Sequence, residues 1–464
     1  MAGIGFELRK LSARGDLSGL AQGYFHAAVA AAGPWLLTVV ALAAVNLVAP
    51  ARLSPLDRAT FQGIVLYNFG FSLILAAPLG AVATRFLADA IYARDVSRVP
   101  GMLIGALALT MLVLAPLAAG FYLPRPNTPL SVKLLACANF SVIGGIWIAS
   151  LFSTALKNHK AVTRAFGLGL GLGLAGVAWL GHWGVAGMLA GFTAGLALTL
   201  FALIARALAE YGHPAREPFA FLAGIKKHRA LAASALVYNM AIWVDKWILW
   251  AAPERTALPN GLVSFPDYDT AMFFAYLTIV PALALFIVEA ETEFFDRYRA
   301  YFRAILDHGS WSTIEARQNE ILDCVWHTGR RIALLQAGVI ATAIVAAPRL
   351  CEILHLNYSQ YGVFRLGAIG AGFHVMLLFL GIVLSYFELH RVVLTCYTIF
   401  FLLNAGFALL TLHLGFAWYG WGYLMASALS FLAAFFAAAG YLGRLPYVSF
   451  VLTNPTLANE PKAR

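Results

Sequence analysis

The chain has 464 residues, of which 61% are hydrophobic and 12% are charged, and its formal net charge is +10. A soluble protein carries about twice that share of charged residues, so the composition excludes an ordinary globular domain and predicts a membrane protein. The basic residues are spread over many short segments, which argues against nucleic-acid binding.

Residues 1–20 precede the first apolar run and have an amphipathic pattern. Ile4, Leu8 and Leu11 lie on one face of a predicted helix, and the charged residues lie on its other faces. This pattern is typical of an interfacial helix on the membrane surface. The apolar run that follows is longer than the core of a cleavable signal peptide, so we expect it to remain as the first span.

Twelve apolar runs follow, and each is long enough to cross about 30 Å of hydrocarbon as a helix. They are continuously apolar, whereas the strands of membrane barrels alternate apolar and polar residues. The predicted fold class is all-α: a polytopic membrane protein with twelve transmembrane helices. The predicted spans are 24–49, 61–84, 101–123, 131–156, 165–181, 184–208, 231–252, 270–290, 332–348, 363–386, 392–414 and 418–442.

The distribution of Lys and Arg between alternate loops predicts the orientation. One side holds 24 of the 32 basic residues, the other side holds 7, and Lys246 lies within a span. Basic residues are concentrated on the cytoplasmic side of membrane proteins. We therefore expect a multi-pass protein of the bacterial inner membrane, surrounded by the lipid bilayer, with both termini in the cytoplasm.

The spans are predicted to form two lobes of six helices, a common plan among transporters. The polar gap 209–230 contains turn-forming residues and a basic cluster, and we interpret it as a cytoplasmic linker. It separates an N-lobe, residues 21–208 with helices 1–6, from a C-lobe, residues 231–442 with helices 7–12. Residues 443–464 are predicted to form a cytoplasmic tail.

The longest polar segment, 291–329, has an amphipathic pattern within the C-lobe. Phe294, Tyr298 and Phe302 recur at helical spacing, with charged residues between them. Two interpretations remain open: helices lying on the inner membrane surface, or a docking surface for a cytoplasmic partner.

Glycines and prolines within the spans predict how the helices pack and bend. Gly167/Gly171 and Gly169/Gly173 in the fifth span are pairs of small residues four positions apart, a spacing that lets membrane helices approach closely. Gly187, Gly191 and Gly195 continue the pattern in the sixth span. The prolines Pro34, Pro78, Pro116 and Pro281 lie within spans and predict bends.

No nucleotide-binding loop and no nucleophile elbow occurs in the sequence, and the predicted outer loops are too short to hold a catalytic domain. We therefore expect a protein that is not an enzyme and has no cofactor. The four cysteines, Cys137, Cys324, Cys351 and Cys396, share neither an oxidising side of the membrane nor the spacing of a metal site, so no disulfide and no metal site are predicted.

Asp245 and Lys246 in the seventh span are the strongest functional candidates, because charges inside a membrane are costly. Adjacent positions on a helix do not face each other, so we expect the two side chains not to pair. Asp245 is predicted to face a central cavity, with Arg365 as a possible partner. Lys246 either faces the same cavity or extends to the outer interface.

Other polar and aromatic residues within the spans each have a structural and a functional interpretation. Trp243 and Trp247, with Trp250, form a stripe that is an outer aromatic belt or a platform for sugar rings. His374 is a possible proton-coupling site or a hydrogen-bonded structural histidine. Four amides within the spans either contact a substrate or join helices by hydrogen bonds: Asn68, Asn139, Asn239 and Asn404.

Several short motifs spread along the chain resemble the PelG family of inner-membrane transporters for the Pel exopolysaccharide. These motifs are Met1–Leu11, Ala32–Trp35, Tyr238–Asn239, Trp243–Lys246, Pro266–Asp269, Ala275–Pro281, Glu291–Phe294 and Ser385–Arg391. The resemblance implies the flippase-like fold of the multidrug/oligosaccharidyl-lipid/polysaccharide (MOP) superfamily, with two six-helix lobes around a central cavity that work by alternating access.

The resemblance also implies export of a polysaccharide rich in N-acetylgalactosamine and galactosamine for the biofilm matrix. The implied partners are a Pel-type cytoplasmic glycosyltransferase and other Pel inner-membrane subunits. Two competing hypotheses remain open. The first is a cation-coupled exporter of small molecules or lipids with the same fold, and the second is a membrane scaffold for a polysaccharide synthase that transports nothing.

Overall fold

The computed structural model describes residues 54–153, 159–354 and 357–452. The predicted interfacial helix, the first predicted span with Pro34, and the end of the tail lie outside these residues. Nine stretches of the described chain are helical and apolar enough to cross a membrane, and the longest, Ala161–Tyr211, contains two helices joined by a turn. Asp245, Lys246 and other polar residues lower the mean hydropathy of one further long helix, Arg229–Leu249.

Thirteen α-helices of ten or more residues and one small hairpin organise the described chain. The helices are α1 Pro55–Tyr92, α2 Val99–Tyr122, α3 Leu130–Ser153, α4 His159–Leu180, α5 Gly184–Tyr211, α6 Arg229–Leu249, α7 Pro266–Leu277, α8 Val280–Glu289, α9 Phe295–Leu306, α10 Trp311–Leu354, α11 Tyr358–Tyr386, α12 His390–Leu414 and α13 Trp421–Leu442. The strands β1 Thr256–Ala257 and β2 Val263–Ser264 pair antiparallel between α6 and α7. The predicted all-α membrane fold is confirmed.

Helices α1–α5 pack against one another and form the described part of the N-lobe, and α6–α13 form the C-lobe. Helices α1 and α6 make the principal contact between these two groups. We call the end of the bundle that carries the β1–β2 hairpin and the C-terminus of α2 the outer end. The inner end carries the C-termini of α1, α5 and α8.

Glycines bring α4 and α5 into backbone contact. A Cβ atom placed on Gly176 would lie 2.6 Å from the Cα atom of Gly191, and one on Gly195 would lie 2.3 Å from the Gly169 carbonyl oxygen. No larger residue fits at this crossing. Of the two predicted pairs in the fifth span, Gly169/Gly173 lies at the crossing, whereas Gly167 and Gly171 are exposed on the other side of α4.

The segment between the lobes, 212–228, is fixed to the inner end of the N-lobe. A Cβ atom on Gly101 or Gly105 of α2 would lie within 1.9 Å of the backbone carbonyl of Arg216 or Pro218. Phe221 is buried in the same cluster. The segment is therefore packed closely against the N-lobe.

Two predicted spans differ from the observed helices. The eighth is divided into α7 and α8, because Pro281 in the first turn of α8 has no N–H to continue the ladder of hydrogen bonds. Helix α7 begins at Pro266, whereas the predicted span begins at residue 270, so Asp269 lies inside the helix. The ninth belongs to α10, a helix of 44 residues that includes the second half of the polar segment 291–329.

Candidate functional site

Asp245 and Lys246 form a buried ion pair near the outer end of α6. The Lys246 Nζ donates to both carboxylate oxygens of Asp245 at 3.2 Å, and the Tyr268 hydroxyl donates to the same carboxylate at 2.8 Å. Asp245 is 0% exposed and Lys246 is 6% exposed. The expectation that these neighbours do not pair is therefore wrong.

The length of the lysine side chain explains this pairing. Its four methylene groups let the ammonium turn back along the helix, where it also donates to the Ile242 carbonyl at 3.0 Å. The ammonium lies 4.9 Å from the centre of the Tyr276 ring, which favours a cation further. Lys246 therefore does not extend to the outer interface, and Asp245 faces no open cavity in this conformation.

A second carboxylate, Asp269 on α7, lies in the same region and is not among the candidates that the sequence indicates. It accepts from the indole N–H of Trp250 at 3.0 Å and from the backbone N–H of Phe265 at 3.1 Å. Among the described residues, no group of three or more His, Cys, Asp or Glu side chains could hold a metal ion.

The tryptophan stripe of α6 packs against α1, between the two groups of helices. Trp250 stacks on Tyr67 of α1 with ring centres 4.8 Å apart, and Trp247 stacks on Phe71 at 5.4 Å. Trp243 lies so close to Gly70 that a Cβ atom there would be 2.7 Å from the indole ring. We call this contact the aromatic seam: Tyr67, Gly70 and Phe71 of α1 with Trp243, Trp247 and Trp250 of α6.

Asn68 belongs to a neutral hydrogen-bonded network inside the N-lobe. Its amide donates to the Asn139 side chain at 2.8 Å and to the Ala136 carbonyl at 3.1 Å, and its oxygen accepts from the Tyr122 hydroxyl at 2.7 Å. Asn139 donates in turn to Thr193 at 3.0 Å. This network joins helices α1, α2, α3 and α5, and it leaves the amide of Asn68 no free hydrogen-bond donor.

His374 is held between two tyrosines inside the C-lobe. Its ring nitrogens lie 3.0 Å from the Tyr238 hydroxyl and 2.8 Å from the Tyr423 hydroxyl, and the residue is 2% exposed. Asn239 is half-buried beside Tyr238 and donates to the Ala235 carbonyl of its own helix at 2.8 Å.

Arg365 is exposed, and its guanidinium lies 5.3 Å from the centre of the Tyr361 ring. It is not the partner of Asp245, because that position is occupied by Lys246 and Tyr268. The tertiary fold therefore brings together Asp245, Lys246 and the tryptophans, and it leaves Arg365, His374 and Asn68 in separate surroundings.

At the inner end, an ion pair connects the two lobes. Arg85 at the end of α1 donates to the Glu388 carboxylate at 2.7 Å, in the loop between α11 and α12. His228, just before α6, stacks edge-on against Phe86. Partial burial, Arg85 and Lys227 lower the pKa of His228 below its ordinary value.

A match to a protein-family model identifies the family of this chain. The family model for PelG, described as "Putative exopolysaccharide Exporter (EPS-E)", matches residues 1–450. The chain belongs to the PelG family. A comparison with curated proteins found no match.

Solved structures with the same architecture confirm the fold of this PelG-family chain. A MOP superfamily transporter from Pyrococcus furiosus is 15% identical, with a TM-score of 0.63 over 90% of this chain and 96% of that one. An inward-facing multidrug MATE transporter is 16% identical, with a TM-score of 0.62 over 89% and 96%. An outward-facing one is also 16% identical, with a TM-score of 0.61 over 90% and 96%. The chain therefore has the fold of MOP superfamily transporters.

In this PelG-family chain, the buried charges and the aromatic seam are neighbours on one helix. Asp245 and Lys246 lie between Trp243 and Trp247 in the sequence of α6, so the buried ion pair and the contact with α1 are carried by the same turns of one helix.

Proposed function

We propose that this chain exports a Pel-type exopolysaccharide, rich in N-acetylgalactosamine and galactosamine, across the bacterial inner membrane by alternating access, as a transporter without enzymatic activity. The match to the PelG family over residues 1–450 is the observation that carries the proposal. The two-lobe fold supports it, because a hydrophilic glycan needs a sheltered polar path through hydrocarbon.

The proposed path runs between the lobes, along the faces of α1 and α6. Trp243, Trp247 and Asn239 are half-buried there, and they would become accessible when the lobes separate. Indole rings would stack on sugar rings, and the Asn239 amide would bond hydroxyl and acetamido groups. Asp245 and Lys246 would contribute only in a conformation that opens their pair, since both are sealed in this one.

The proposal extends to topology and partners. Both termini would lie in the cytoplasm, with the inner end of the bundle on that side, as the distribution of basic residues predicts. A Pel-type glycosyltransferase would deliver the polymer at the inner end, and other Pel membrane subunits would complete the export assembly. The secreted polymer would enter the biofilm matrix.

Secretion by an Asp245→Asn variant tests the site. Asn keeps the shape of the side chain but removes the charge that holds Lys246, so we expect secreted polysaccharide to fall at least about tenfold at equal membrane abundance. Asp267→Asn is the matched control: Asp267 is another aspartate at the outer end, at the start of α7, and it accepts from Asn357 and Gln360, away from the pair of Asp245 and Lys246. Normal secretion by Asp245→Asn would remove Asp245 from the path.

The shared fold favours a second candidate, an exporter of small molecules, because multidrug transporters have TM-scores near 0.6 with this chain. Expression in a drug-sensitive host distinguishes the two. Raised resistance together with unchanged polysaccharide secretion would support the small-molecule exporter.

A scaffold without transport is tested at the inner end. Arg85 and Glu388 lie on different lobes and face each other, so cysteines at both positions can be joined by a short bifunctional maleimide. A carrier with its lobes joined stops secreting, and reductive release of a cleavable linker restores secretion. Undiminished secretion with the link in place would identify a scaffold.

A further inference from the structure

Tyr67 is the N-lobe residue that the C-lobe holds by both its ring and its hydroxyl. The ring stacks on Trp250 at 4.8 Å with an angle of 18° between the planes. The hydroxyl donates to the Val263 carbonyl at 2.8 Å and accepts from the Val263 N–H at 3.3 Å. One side chain of α1 therefore occupies a receptor made by α6 and β2.

Asp269 fixes both halves of this receptor. One carboxylate oxygen accepts from the Trp250 indole N–H at 3.0 Å and from the backbone N–H of Phe265 at 3.1 Å. Phe265 directly follows β2, so the same group sets the orientation of the stacking ring and the position of the strand end. Asp269 thus acts on Tyr67 through Trp250 and β2.

The rest of the hairpin is held by the N-lobe in the same way, through its backbone. Arg125 donates to the Gly261 carbonyl at 2.8 Å, and Asn127 donates to the Pro259 carbonyl at 3.1 Å. Leu258 and Leu262 lie against Gly63 of α1 and are 7% and 2% exposed. The outer end is therefore closed between α1 and the β1–β2 hairpin by contacts that the side chains of one lobe make to the main chain of the other.

These contacts are suited to repeated opening. The Tyr67 hydroxyl bonds the half-buried strand β2, beside the exposed strand β1, where water can replace each lost hydrogen bond at small net cost. An unpaired Asp245 or Lys246 has no such replacement within the membrane interior. Opening at the hairpin is therefore the less costly of the two separations.

We propose that Tyr67 is the outer gate of this transporter and that Asp269 is the positioning residue that holds its receptor in the closed state. The proposal rests on the alternating-access function proposed above. It predicts that weakening the Tyr67 receptor exposes the outer end of the seam while the rest of the fold stays intact.

The test measures how fast a maleimide labels a cysteine at position 262, which is buried only while the gate is closed. Leu262→Cys is placed in a variant without the four native cysteines, and the purified protein is labelled in lipid nanodiscs. Tyr67→Phe keeps the ring but removes both hydroxyl contacts. We expect labelling about three- to tenfold faster, because loss of the 2.8 Å hydrogen bond changes the population by about that factor and the 3.3 Å hydrogen bond adds less. Tyr301→Phe is the matched control, since its hydroxyl bonds Ser449 at the inner end.

Variants at Asp269 and Trp250 test the positioning role. Trp250→Phe removes the donor to Asp269 and keeps an aromatic ring, and we expect it to speed labelling as Asp269→Ala does. Asp269→Asn keeps a carbonyl acceptor for the indole and should restore slow labelling. The double variant Tyr67→Phe/Asp269→Ala should be labelled little faster than the faster single variant, because both changes weaken the same contact between Tyr67 and its receptor.

Three results overturn the proposal. Fast labelling of the parent protein would show that the outer end is not closed, and unchanged labelling of Tyr67→Phe would show that Tyr67 does not close it. Effects of Tyr67→Phe and Asp269→Ala that multiply would show that Asp269 acts independently. Labelling needs no polysaccharide, so these outcomes are separate from the secretion measurements that test the proposed function.

Discussion

The two lobes bury polar groups of different kinds at comparable depth. In the N-lobe, Asn68, Asn139, Tyr122 and Thr193 are neutral, and they hydrogen-bond one another across four helices. In the C-lobe, Asp245 and Lys246 are charged and depend on each other and on Tyr268. A neutral network in which every hydrogen bond is made does not depend on groups of the other lobe. A buried ion pair, in contrast, is strongly destabilised by the loss of either charge. The comparison predicts that the loss of one polar partner destabilises the C-lobe more than the N-lobe.

The largest expected effect follows from removing one charge of the C-lobe pair. Lys246→Met leaves the Asp245 carboxylate buried without its cation, which costs about 3–5 kcal/mol for a pair with so little exposure. Thermal unfolding in detergent measures it. The double variant Asp245→Asn/Lys246→Met should recover much of the loss. A single variant as stable as the parent would mean that the carboxylate takes up a proton at little cost, and the contrast between the lobes would disappear.

A matched pair of Tyr→Phe substitutions compares the lobes directly. Tyr268→Phe removes a hydrogen bond to a carboxylate, worth about 1.5–3 kcal/mol, and Tyr122→Phe removes one to an amide, worth about 0.5–1.5 kcal/mol. Urea or thermal unfolding of both variants under the same conditions gives the difference. Equal losses would contradict the claim that charge distinguishes the two networks.

Within the N-lobe, Asn139→Ala breaks the central connection of the amide network. It leaves the Asn68 amide and the Thr193 hydroxyl each with one lost partner, and we expect a loss of about 1–3 kcal/mol. Secretion at equal membrane abundance should stay close to that of the parent, because the network serves packing. A large loss of secretion from a stably folded variant would instead place the network in the path.

The smallest effect is expected at the inner end, where the lobes meet at Arg85 and Glu388. The two side chains are 33% and 60% exposed, so water and salt screen the pair and its contribution is below about 1 kcal/mol. Glu388→Gln should leave stability almost unchanged. Any change in the rate of secretion should fade when salt is raised above about 0.5 M. A salt-independent defect would point to a role other than charge pairing.

Much of the fold was predictable from local patterns. The apolar runs and the glycine pair Gly169/Gly173 follow from short-range rules that the observed helices obey. The eighth and ninth predicted spans were the exceptions. At the outer edge of the eighth, Pro266 and the acidic residues after it are signals of a helix N-terminus. Taken as the start of that span, they would have placed Asp269 inside the helix and added it to the candidate site residues.

The candidate site was less predictable, because partners come from distant parts of the chain. The cost of burying a charge singles out Asp245, yet its contact with Tyr268 lies across two helices and its contact with Lys246 depends on a side-chain conformation. The position of Arg365 on the outside of α11 and the tyrosine partners of His374 depend on helix rotation, which a nearly uniform apolar sequence does not specify.

The sequence by itself determined that this protein lies in the membrane as a bundle of helices, because lipid forces every apolar run of that length to satisfy its backbone internally. Only the tertiary structure decided which faces of those helices meet. Residues as far apart in sequence as Tyr67 and Val263 are brought together by tertiary packing, and packing is set by shape and hydrogen bonding over the whole bundle rather than by hydrophobicity along the chain.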